Sequence, residues 1–199
     1  LGMFAGAALA SVLGIFIAWL SFRYALPPLS VALVTIALAM LGFLAISSID
    51  VLGASRGLTL PVRGTAAMYQ FRSDVAYYIV ILLHVVVAVA LTVWLYHTRI
   101  GLYLRALRDN ERAAHAIGVP VLSYKMLAMA ISAALTALGG TFYAQYLQYV
   151  EPHTFASINI VIQIILLTVV GGVGTVWGPV VGPMLLVPAG EWLRHSLGG

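Results

Sequence analysis

The feature that most constrains this chain is a series of long apolar runs without a charged residue. Residues 1–20, 29–47 and 75–96 contain no Asp, Glu, Lys or Arg. About 20 apolar residues in an α-helix are enough to cross the ~30 Å hydrocarbon core of a bilayer. Each run is therefore predicted to be a transmembrane helix, and the third ends in Trp94 and Tyr96, as expected at a membrane interface.

The composition excludes an ordinary soluble fold. Of the 199 residues, 62% are apolar and 8% are charged, and the mean hydropathy is +1.05. A typical soluble domain is about 25% charged, so most of this surface needs lipid as its solvent. The chain contains no cysteine, which excludes disulfide frameworks, thiol catalysis and cysteine-based metal sites.

Three further apolar segments follow. Residues 122–146 again have the length and apolar character of a transmembrane helix. They are rich in Ala and Gly, which let helices approach closely in lipid. Residues 158–170 and 180–192 are each too short to cross comfortably alone. They are either two short or tilted spans or broken helices that meet inside the membrane. We favour two spans, which predicts an all-α polytopic membrane protein with about six transmembrane helices in a single domain, 1–199.

The basic residues indicate the orientation. The segment 99–125 holds five Lys or Arg, and Arg23 falls on the same side, whereas the extramembrane loop 50–74 on the opposite side holds three. One side of the membrane thus has six basic residues and the other has three. The segment 99–125 is predicted to face the cytoplasm, because cytoplasmic loops carry the excess of basic residues. The net charge of +4 is therefore interpreted as topology and not as a nucleic-acid surface. Leu1 follows no basic flank, so residues 1–20 are not expected to be a signal peptide, and we expect the chain to begin within a longer protein.

The chain lacks the residues that several kinds of chemistry require. A Walker A loop needs a lysine after glycines, and the chain's one lysine, Lys125, follows Ser and Tyr. The five histidines are dispersed without an H-E-x-x-H pair, so no metal site is expected. No carboxylate lies in the interior of a span, since Glu191 stands next to the last residue of the segment 180–192, and this argues against a proton-coupled pump. We expect no enzyme activity and no cofactor bound by this chain.

Residues 103–118 have the pattern of one amphipathic helix that ends at Gly118 and Pro120. At 100° per residue, one half of its circumference carries the polar side chains Arg105, Arg108, Asp109, Glu111, Arg112 and His115. A helix that rests on lipid headgroups and a helix that docks on another protein both fit this period. The mixed signs favour docking, because carboxylates gain nothing from anionic lipid.

A glycine-rich motif covers residues 171–182. Three of its glycines recur every four residues and would share one face of a helix; the motif's glycines are Gly171, Gly172, Gly174, Gly178 and Gly182. Close helix packing is the interpretation that this spacing favours. The alternative is a helix break, marked by Pro179 and Pro183, whose backbone groups contact the solute.

Three polar side chains within the spans are candidates for a translocation path. His84 is a titratable group near the middle of the third span, and Ser132 and Thr136 lie four residues apart on one helix face. Intramembrane ionisable groups are functional candidates by default. The competing interpretation is that the imidazole bonds a neighbouring helix and that the hydroxyls bond carbonyls of their own helix.

The run 101–118 resembles the cytoplasmic loop of ABC-importer permeases of the branched-chain amino-acid type, the LivM-like family. Ala113 and Ala114 followed by Gly118 are similar to the EAA loop that docks on the ATPase, although Arg112 stands where Glu is usual, with Glu111 one place earlier. The likeness extends over roughly the whole chain, through residues 33–39, 53–61, 125–143 and 171–182.

The resemblance implies a permease subunit of an ATP-driven importer in the bacterial cytoplasmic membrane, carrying a small polar solute such as a branched-chain amino acid. Two ATP-binding cassette subunits would use the ATP, a second homologous permease subunit would complete the pore, and an extracytoplasmic binding protein would deliver the solute. Residues 103–118 would be the coupling helix. Its polar contacts would be Arg105, Arg108, Glu111 and Arg112, and its close-packing positions Ala113, Ala114 and Gly118.

A stand-alone secondary transporter or channel is the rival interpretation, in which the amphipathic segment only rests on the membrane. Family members usually extend further at both ends, which agrees with an incomplete chain. Related permeases are thought to carry urea or short amides, so the sequence leaves the solute open.

Overall fold

The computed structural model describes residues 2–24, 27–48, 58–59, 74–150 and 158–197. These residues form α-helices and one short antiparallel strand pair. The elements are α1 (Gly2–Arg23), α2 (Pro28–Ser48), β1 (Leu58–Thr59), α3 (Asp74–His97), α4 (Arg99–Asp109), α5 (Glu111–Ala116), α6 (Val121–Leu147), β2 (Tyr149–Val150), α7 (Ile158–Gly172) and α8 (Gly178–Leu197).

Four of these helices, α1, α2, α3 and α6, are long and apolar enough to cross a membrane by length and composition. Their bounds agree with the four longest apolar runs of the sequence to within about three residues. The predicted all-α polytopic membrane fold is confirmed. Most of the predicted loop at 50–74 lies outside the described residues.

Residues 1–152 form one compact unit, in which α1 and α6 pack in antiparallel directions along most of their length. Near the middle, the Ser11 hydroxyl donates to the Ala130 carbonyl over 3.3 Å. A Cβ at Gly14 would lie 2.9 Å from the Cβ of Ala133 and 3.2 Å from the Met129 carbonyl oxygen. Small residues on both helices therefore bring the two backbones close together, as in many membrane helix pairs.

Helix α3 contacts α6 through aromatic residues. The buried Tyr77 ring lies edge-on to Phe142 at 6.2 Å and to Tyr146 at 5.4 Å between ring centroids. Helix α1 contacts α6 at Ala130 and Ala133. Around the axis of α6, these two residues lie about a third of a turn or more from Phe142 and Tyr146. Helix α6 therefore contacts α1 and α3 through different faces.

The two ends of this unit agree with the predicted topology. Lys125, near the start of α6, has its Nζ 4.5 Å from the centre of the Phe22 ring at the end of α1, so the turn around Arg23 and the segment 99–125 lie at the same end. The strand pair joins the opposite end, because Leu58 pairs with Val150 and Thr59 with Tyr149 beyond the end of α6.

Residues 153–199 form a second compact unit, in which α7 and α8 pack against each other. Helix α7 has 15 residues, about 22 Å at 1.5 Å per residue. Helix α8 has 20 residues and contains Pro183 and Pro188. That both helices span the membrane stays a prediction.

Candidate coupling site and α6 groove

The connection from α3 to α4 is a tight turn that fixes where α4 begins. Both the backbone N–H and the hydroxyl of Thr98 donate to the Leu95 carbonyl, at 3.1 and 2.7 Å. Gly101 is buried, and a Cβ there would overlap the Leu95 carbonyl oxygen and lie 2.8 Å from the Cα of Tyr96. Helix α4 thus starts in direct backbone contact with the end of α3.

Arg105 reinforces this turn from the next helical turn of α4. Its guanidinium carbon lies 4.1 Å from the centre of the Tyr96 ring, an attractive cation–π arrangement. The guanidinium also donates to the Gly101 carbonyl at 3.3 Å and to the Tyr96 carbonyl at 3.4 Å. The structure therefore places this predicted docking arginine against α3 of its own chain.

Asn110 divides the predicted helix in two, so the expectation of one continuous helix over residues 103–118 was wrong. Asn110 has an extended backbone, with φ −156° and ψ 102°. Its N–H donates to the Ala106 carbonyl and ends α4, and its side-chain oxygen accepts from the Ala113 N–H at 3.1 Å and begins α5. Asn is a preferred N-cap because it satisfies a free N–H of the first turn. The charged residues keep the same helical spacing before and after Asn110. Their spacing therefore did not reveal the break.

Replacing Asn110 with alanine should loosen α5, because the N-cap hydrogen bond to Ala113 is lost. We expect a loss of about 1 kcal/mol in the stability of this helix, seen as faster amide hydrogen exchange at residues 113–116. Asn110→Asp keeps the capping oxygen and is the matched control. Equal exchange in Asn110→Ala and Asn110→Asp would contradict the capping role.

The end of α5 requires a glycine for a conformational reason. Gly118 has φ +86°, and its N–H donates to the His115 carbonyl while the Val119 N–H donates to the Ala114 carbonyl. These two bonds form a Schellman motif, which needs a left-handed residue after the helix. A Cβ at Gly118 would meet nothing within 4 Å in the described chain. Within this chain, Gly118 therefore serves the turn and not close packing.

An apolar cluster holds the two short helices onto the start of α6. Leu107, Ala114 and Val119 are 3–7% exposed, and the rings of Tyr103 and Tyr124 lie 5.0 Å apart beside them. Ala114 is thus a packing residue inside this chain, whereas its neighbour Ala113 is exposed.

The opposite side of α4 and α5 is exposed. We call it the outer face and define it by Arg108, Asp109, Glu111, Arg112, Ala113, His115 and Ile117. Arg108 and Asp109 form an exposed ion pair at 3.4 Å, and the apolar Ile117 is 78% exposed. Four of the seven predicted coupling residues, Arg108, Glu111, Arg112 and Ala113, lie here together.

An ion pair links the outer face to α6, and the sequence did not reveal it. The Lys125 ammonium lies 2.6 Å from a carboxylate oxygen of Glu111 and above the Phe22 ring. The Lys125 side chain is 22% exposed and that of Glu111 53%. Lys125 stood out in the sequence as the lone lysine, but its partners, Glu111 on α5 and Phe22 on α1, belong to separate helices whose packing the sequence pattern does not show.

A groove follows α6 from this ion pair towards the middle of the helix. It consists of two adjoining open cavities of about 400 and 360 Å³ that share Met129 and Ser132. We call it the α6 groove; its lining residues are Ala10 and Phe22 from α1, Leu104, Leu107 and Arg108 from α4, and Lys125, Ala128, Met129, Ser132, Ala133, Thr136 and Ala137 from α6. Apolar walls with a few polar groups are typical of small-molecule sites.

Of the three predicted path residues, two lie in this groove. The Thr136 hydroxyl donates to the Ser132 carbonyl at 2.9 Å, so it is satisfied within its own helix while both residues remain exposed. The third, His84, is half-buried, and its Nε2 lies 3.8 Å from the position of a Cβ at Gly139. Gly139 follows Thr136 by three residues and shares its face of α6, which places His84 about one turn beyond the groove.

In the second unit, the glycine motif brings α7 and α8 into backbone contact. A Cβ at Gly171 would overlap the Gly178 carbonyl oxygen, and one at Gly182 would overlap the Leu167 carbonyl oxygen. Gly174 lies in the turn before α8, so the segment is not one continuous helix and Gly174 does not share a helix face with Gly178 and Gly182. The geometry matches the helix-packing interpretation.

The turn between α7 and α8 also satisfies its own polar groups. The Thr175 hydroxyl donates to the Gly172 carbonyl at 2.9 Å and accepts from the Gly178 N–H at 3.0 Å. The N–H at the first residue of α8 is therefore already bonded within the turn, and the described part of the motif offers that donor to no solute.

Among the described residues, no three His, Asp or Glu side chains come together as metal ligands. The site that the geometry defines is instead an exposed, charged helix pair fastened to membrane-spanning helices beside an apolar groove.

Comparison with known protein families identifies the family. A family model described as the permease component of branched-chain amino acid transport systems matches residues 1–198. The chain belongs to this family of transport permeases, which is not a class of enzymes. No solved structure matches the chain.

Individual relatives match this chain over shorter stretches. The chain is 33% identical over 119 residues to the high-affinity branched-chain amino acid permease LivM of Salmonella typhimurium and to that of Escherichia coli, covering 59% of this chain and 27% of each relative. It is 38% identical over 61 residues to the nucleoside ABC transporter permease NupC of Lactococcus lactis, covering 30% of this chain and 19% of that relative. The matched region thus spans about a quarter of the length of the LivM proteins.

Proposed function

We propose that this chain is part of the membrane-spanning permease subunit of an ATP-driven importer for a small polar solute, with branched-chain amino acids first among the candidates. The observation that carries the proposal is the outer face of α4 and α5, where four predicted coupling residues stand exposed on helices that are anchored to α3 and α6. Family membership supports the same function.

The outer face is suited to a protein partner. It combines both signs of charge with an exposed Ile117, and mixed charge around an apolar residue fits a protein surface better than a uniformly anionic bilayer. The partner we propose is an ATP-binding cassette subunit, which uses the ATP on behalf of the permease. The segment 103–118 then acts as two coupling helices within one permease domain, in the bacterial cytoplasmic membrane.

The remaining partners follow from the same proposal. A second, homologous permease subunit pairs with this one, a second ATP-binding cassette subunit docks on it, and an extracytoplasmic binding protein delivers the solute. The exposed apolar residues of the spanning helices, such as Leu33 and Met40 of α2 at 61% and 66%, face lipid or the second permease subunit.

The solute path that we propose runs along the α6 groove. Ser132 and Thr136 are exposed in its apolar wall, and His84 lies about one turn farther along α6. Movement of α4 and α5 with the ATPase would shift α6 between outward-open and inward-open states. Directed transport requires that the solute binds these two states with different affinity.

Charge reversal on the outer face tests the docking role. Arg112→Glu should lower the ATP hydrolysis that solute-loaded binding protein stimulates in the reconstituted complex by at least about tenfold, because opposed like charges at an interface cost several kcal/mol and about 1.4 kcal/mol is already tenfold. Arg112 is exposed, so the change should leave the fold intact. Arg194→Glu, at an arginine that is 81% exposed on α8, is the matched control and should hydrolyse ATP normally.

Two outcomes would overturn the proposal. One is unchanged stimulation in Arg112→Glu together with wild-type docking of the ATPase. The other is solute transport by this permease alone, without any ATP-binding subunit, which would instead support a stand-alone carrier.

The solute is tested by competition. Uptake of labelled leucine by the complete complex is measured against an excess of unlabelled valine or of a nucleoside. Competition by valine supports the amino-acid proposal. Competition by the nucleoside alone would transfer the assignment to the substrate class named for the Lactococcus lactis relative.

A further inference from the structure

The Glu111–Lys125 ion pair occupies a place where three functional elements meet. Glu111 belongs to the outer face on α5, and Lys125 belongs to α6 and lines the α6 groove. The ring under the Lys125 ammonium is Phe22 of α1, which lines the same cavity. One ammonium group, carried by α6, therefore contacts both the predicted docking surface and the α1 wall of the groove.

From this placement we propose that the Glu111–Lys125 pair transmits movement of the docking helices to the inner end of the α6 groove. This inference rests on the proposed function. When the ATPase moves α5, Glu111 carries the Lys125 ammonium towards or away from Phe22, which changes the width of the groove between α1 and α6. Lys125 acts here as a positioning residue, not as a ligand of the solute.

The other contacts of α4 and α5 are less suited to this task. Gly101 and Arg105 tie α4 to α3. The cluster of Leu107, Ala114 and Val119 packs α4 and α5 against the start of α6, and Leu107 also lines the groove, but apolar contacts of this kind are not directional. The pair at Glu111 and Lys125 joins α5 directly to a residue in the groove wall. At 2.6 Å the two groups are within hydrogen-bonding distance, and a charge-assisted hydrogen bond fixes the direction of one group relative to the other.

The exposure of the pair argues for a mechanical role over a stabilising one. The Glu111 side chain is 53% exposed, and ion pairs open to solvent contribute little to folding. Variants of this pair should therefore fold, and their effects should appear in the motion of α5 and in the coupling of ATP hydrolysis to uptake.

The first experiment measures the link itself and needs no transport. The chain has no cysteine, so His115→Cys on the exposed part of α5 carries the only nitroxide spin label. Lys125→Met should increase the mobility of this label by releasing Glu111, and Lys125→Arg should keep it near the wild-type value. The charge-swapped variant Glu111→Lys with Lys125→Glu should restore part of the order, since the pair re-forms but the cation above Phe22 is lost.

The second experiment measures coupling in the complete transporter in proteoliposomes. Lys125→Met should lower labelled-leucine uptake per ATP hydrolysed by about fivefold, which corresponds to about 1 kcal/mol for an ion pair partly open to solvent, while the complex still assembles and hydrolyses ATP. Lys125→Arg keeps the cation and should keep the ratio near the wild-type value. Glu191→Gln removes the partner of another exposed ion pair, Glu191–Arg194 at 3.5 Å, and is the control expected to behave as wild type.

The results separate this inference from the function on which it rests. Unchanged label mobility in Lys125→Met, or an unchanged ratio of uptake to ATP hydrolysis, would overturn the proposed link even if wild-type transport is ATP-driven. A wild-type complex that shows no ATP-driven uptake would overturn the proposed function, whereas the spin-label result would still report whether the pair restrains α5.

Discussion

Replacing Gly182 with valine should separate α7 from α8 and destabilise the second unit by about 3 kcal/mol. A Cβ at this position would overlap the Leu167 carbonyl oxygen and approach the Cα of Gly171 to 3.1 Å. These are backbone atoms, which cannot rotate away as a side chain can, so the helices themselves must move. Overpacking costs about 1–3 kcal/mol where side chains can adjust, and backbone overlap belongs at the upper end of that range.

The thermal unfolding midpoint of the purified chain in detergent measures this effect. Gly190→Val is the matched control, because it lies in the same helix and a Cβ there meets nothing within 4 Å in the described chain. Equal midpoints for Gly182→Val and Gly190→Val would show that α7 and α8 are not in backbone contact, and would reopen the alternative in which the motif contacts solute.

Replacing Gly101 with valine should uncouple the ATPase from the membrane helices. The added side chain would occupy the space of the Leu95 carbonyl and the Tyr96 backbone, so α4 would have to leave the end of α3. That movement also breaks the hydrogen bonds from Arg105 to the Tyr96 carbonyl and its stacking on the Tyr96 ring. Since one tenfold change corresponds to about 1.4 kcal/mol, the overpacking cost predicts at least a tenfold loss of ATP-driven uptake.

Co-purification of the ATP-binding subunit and stimulated ATP hydrolysis report this effect separately from folding. Gly42→Val in α2 is the control, because a Cβ at Gly42 meets nothing within 4 Å in the described chain. If Gly101→Val assembled and hydrolysed ATP like Gly42→Val, the position of α4 would not depend on its backbone contact with α3.

The two glycine predictions show where sequence reasoning reached its limit. The sequence marked the motif at 171–182 as a packing element, and the backbone contacts of Gly171 and Gly182 agree with that interpretation. It did not mark Gly101, because an isolated glycine carries no period. Gly101 approaches the backbone of α3 closely because of where α3 ends, and this contact is seen only in the structure of both helices.

The coupling segment shows the same division. Its amphipathic period identified an exposed charged face, and Arg108, Glu111 and Arg112 do lie on it. Period alone did not separate Ala113, which is exposed, from Ala114, which is buried, since adjacent residues differ by only 100°. Nor did it show the break at Asn110, where one side chain ends the first helix and begins the second.

The sequence by itself determined the membrane-spanning character of the chain, four of its helices to within a few residues, and the surface that carries the mixed charges. These features follow from local patterns, because the length of an apolar run and the period of its polar residues are read from neighbours along the chain. Only the tertiary structure decided that Arg105 turns back onto α3 and that Lys125 joins Glu111 above Phe22. The reason is physical: each of these contacts depends on how separate helices pack, and no local pattern encodes the distance between side chains that folding brings together.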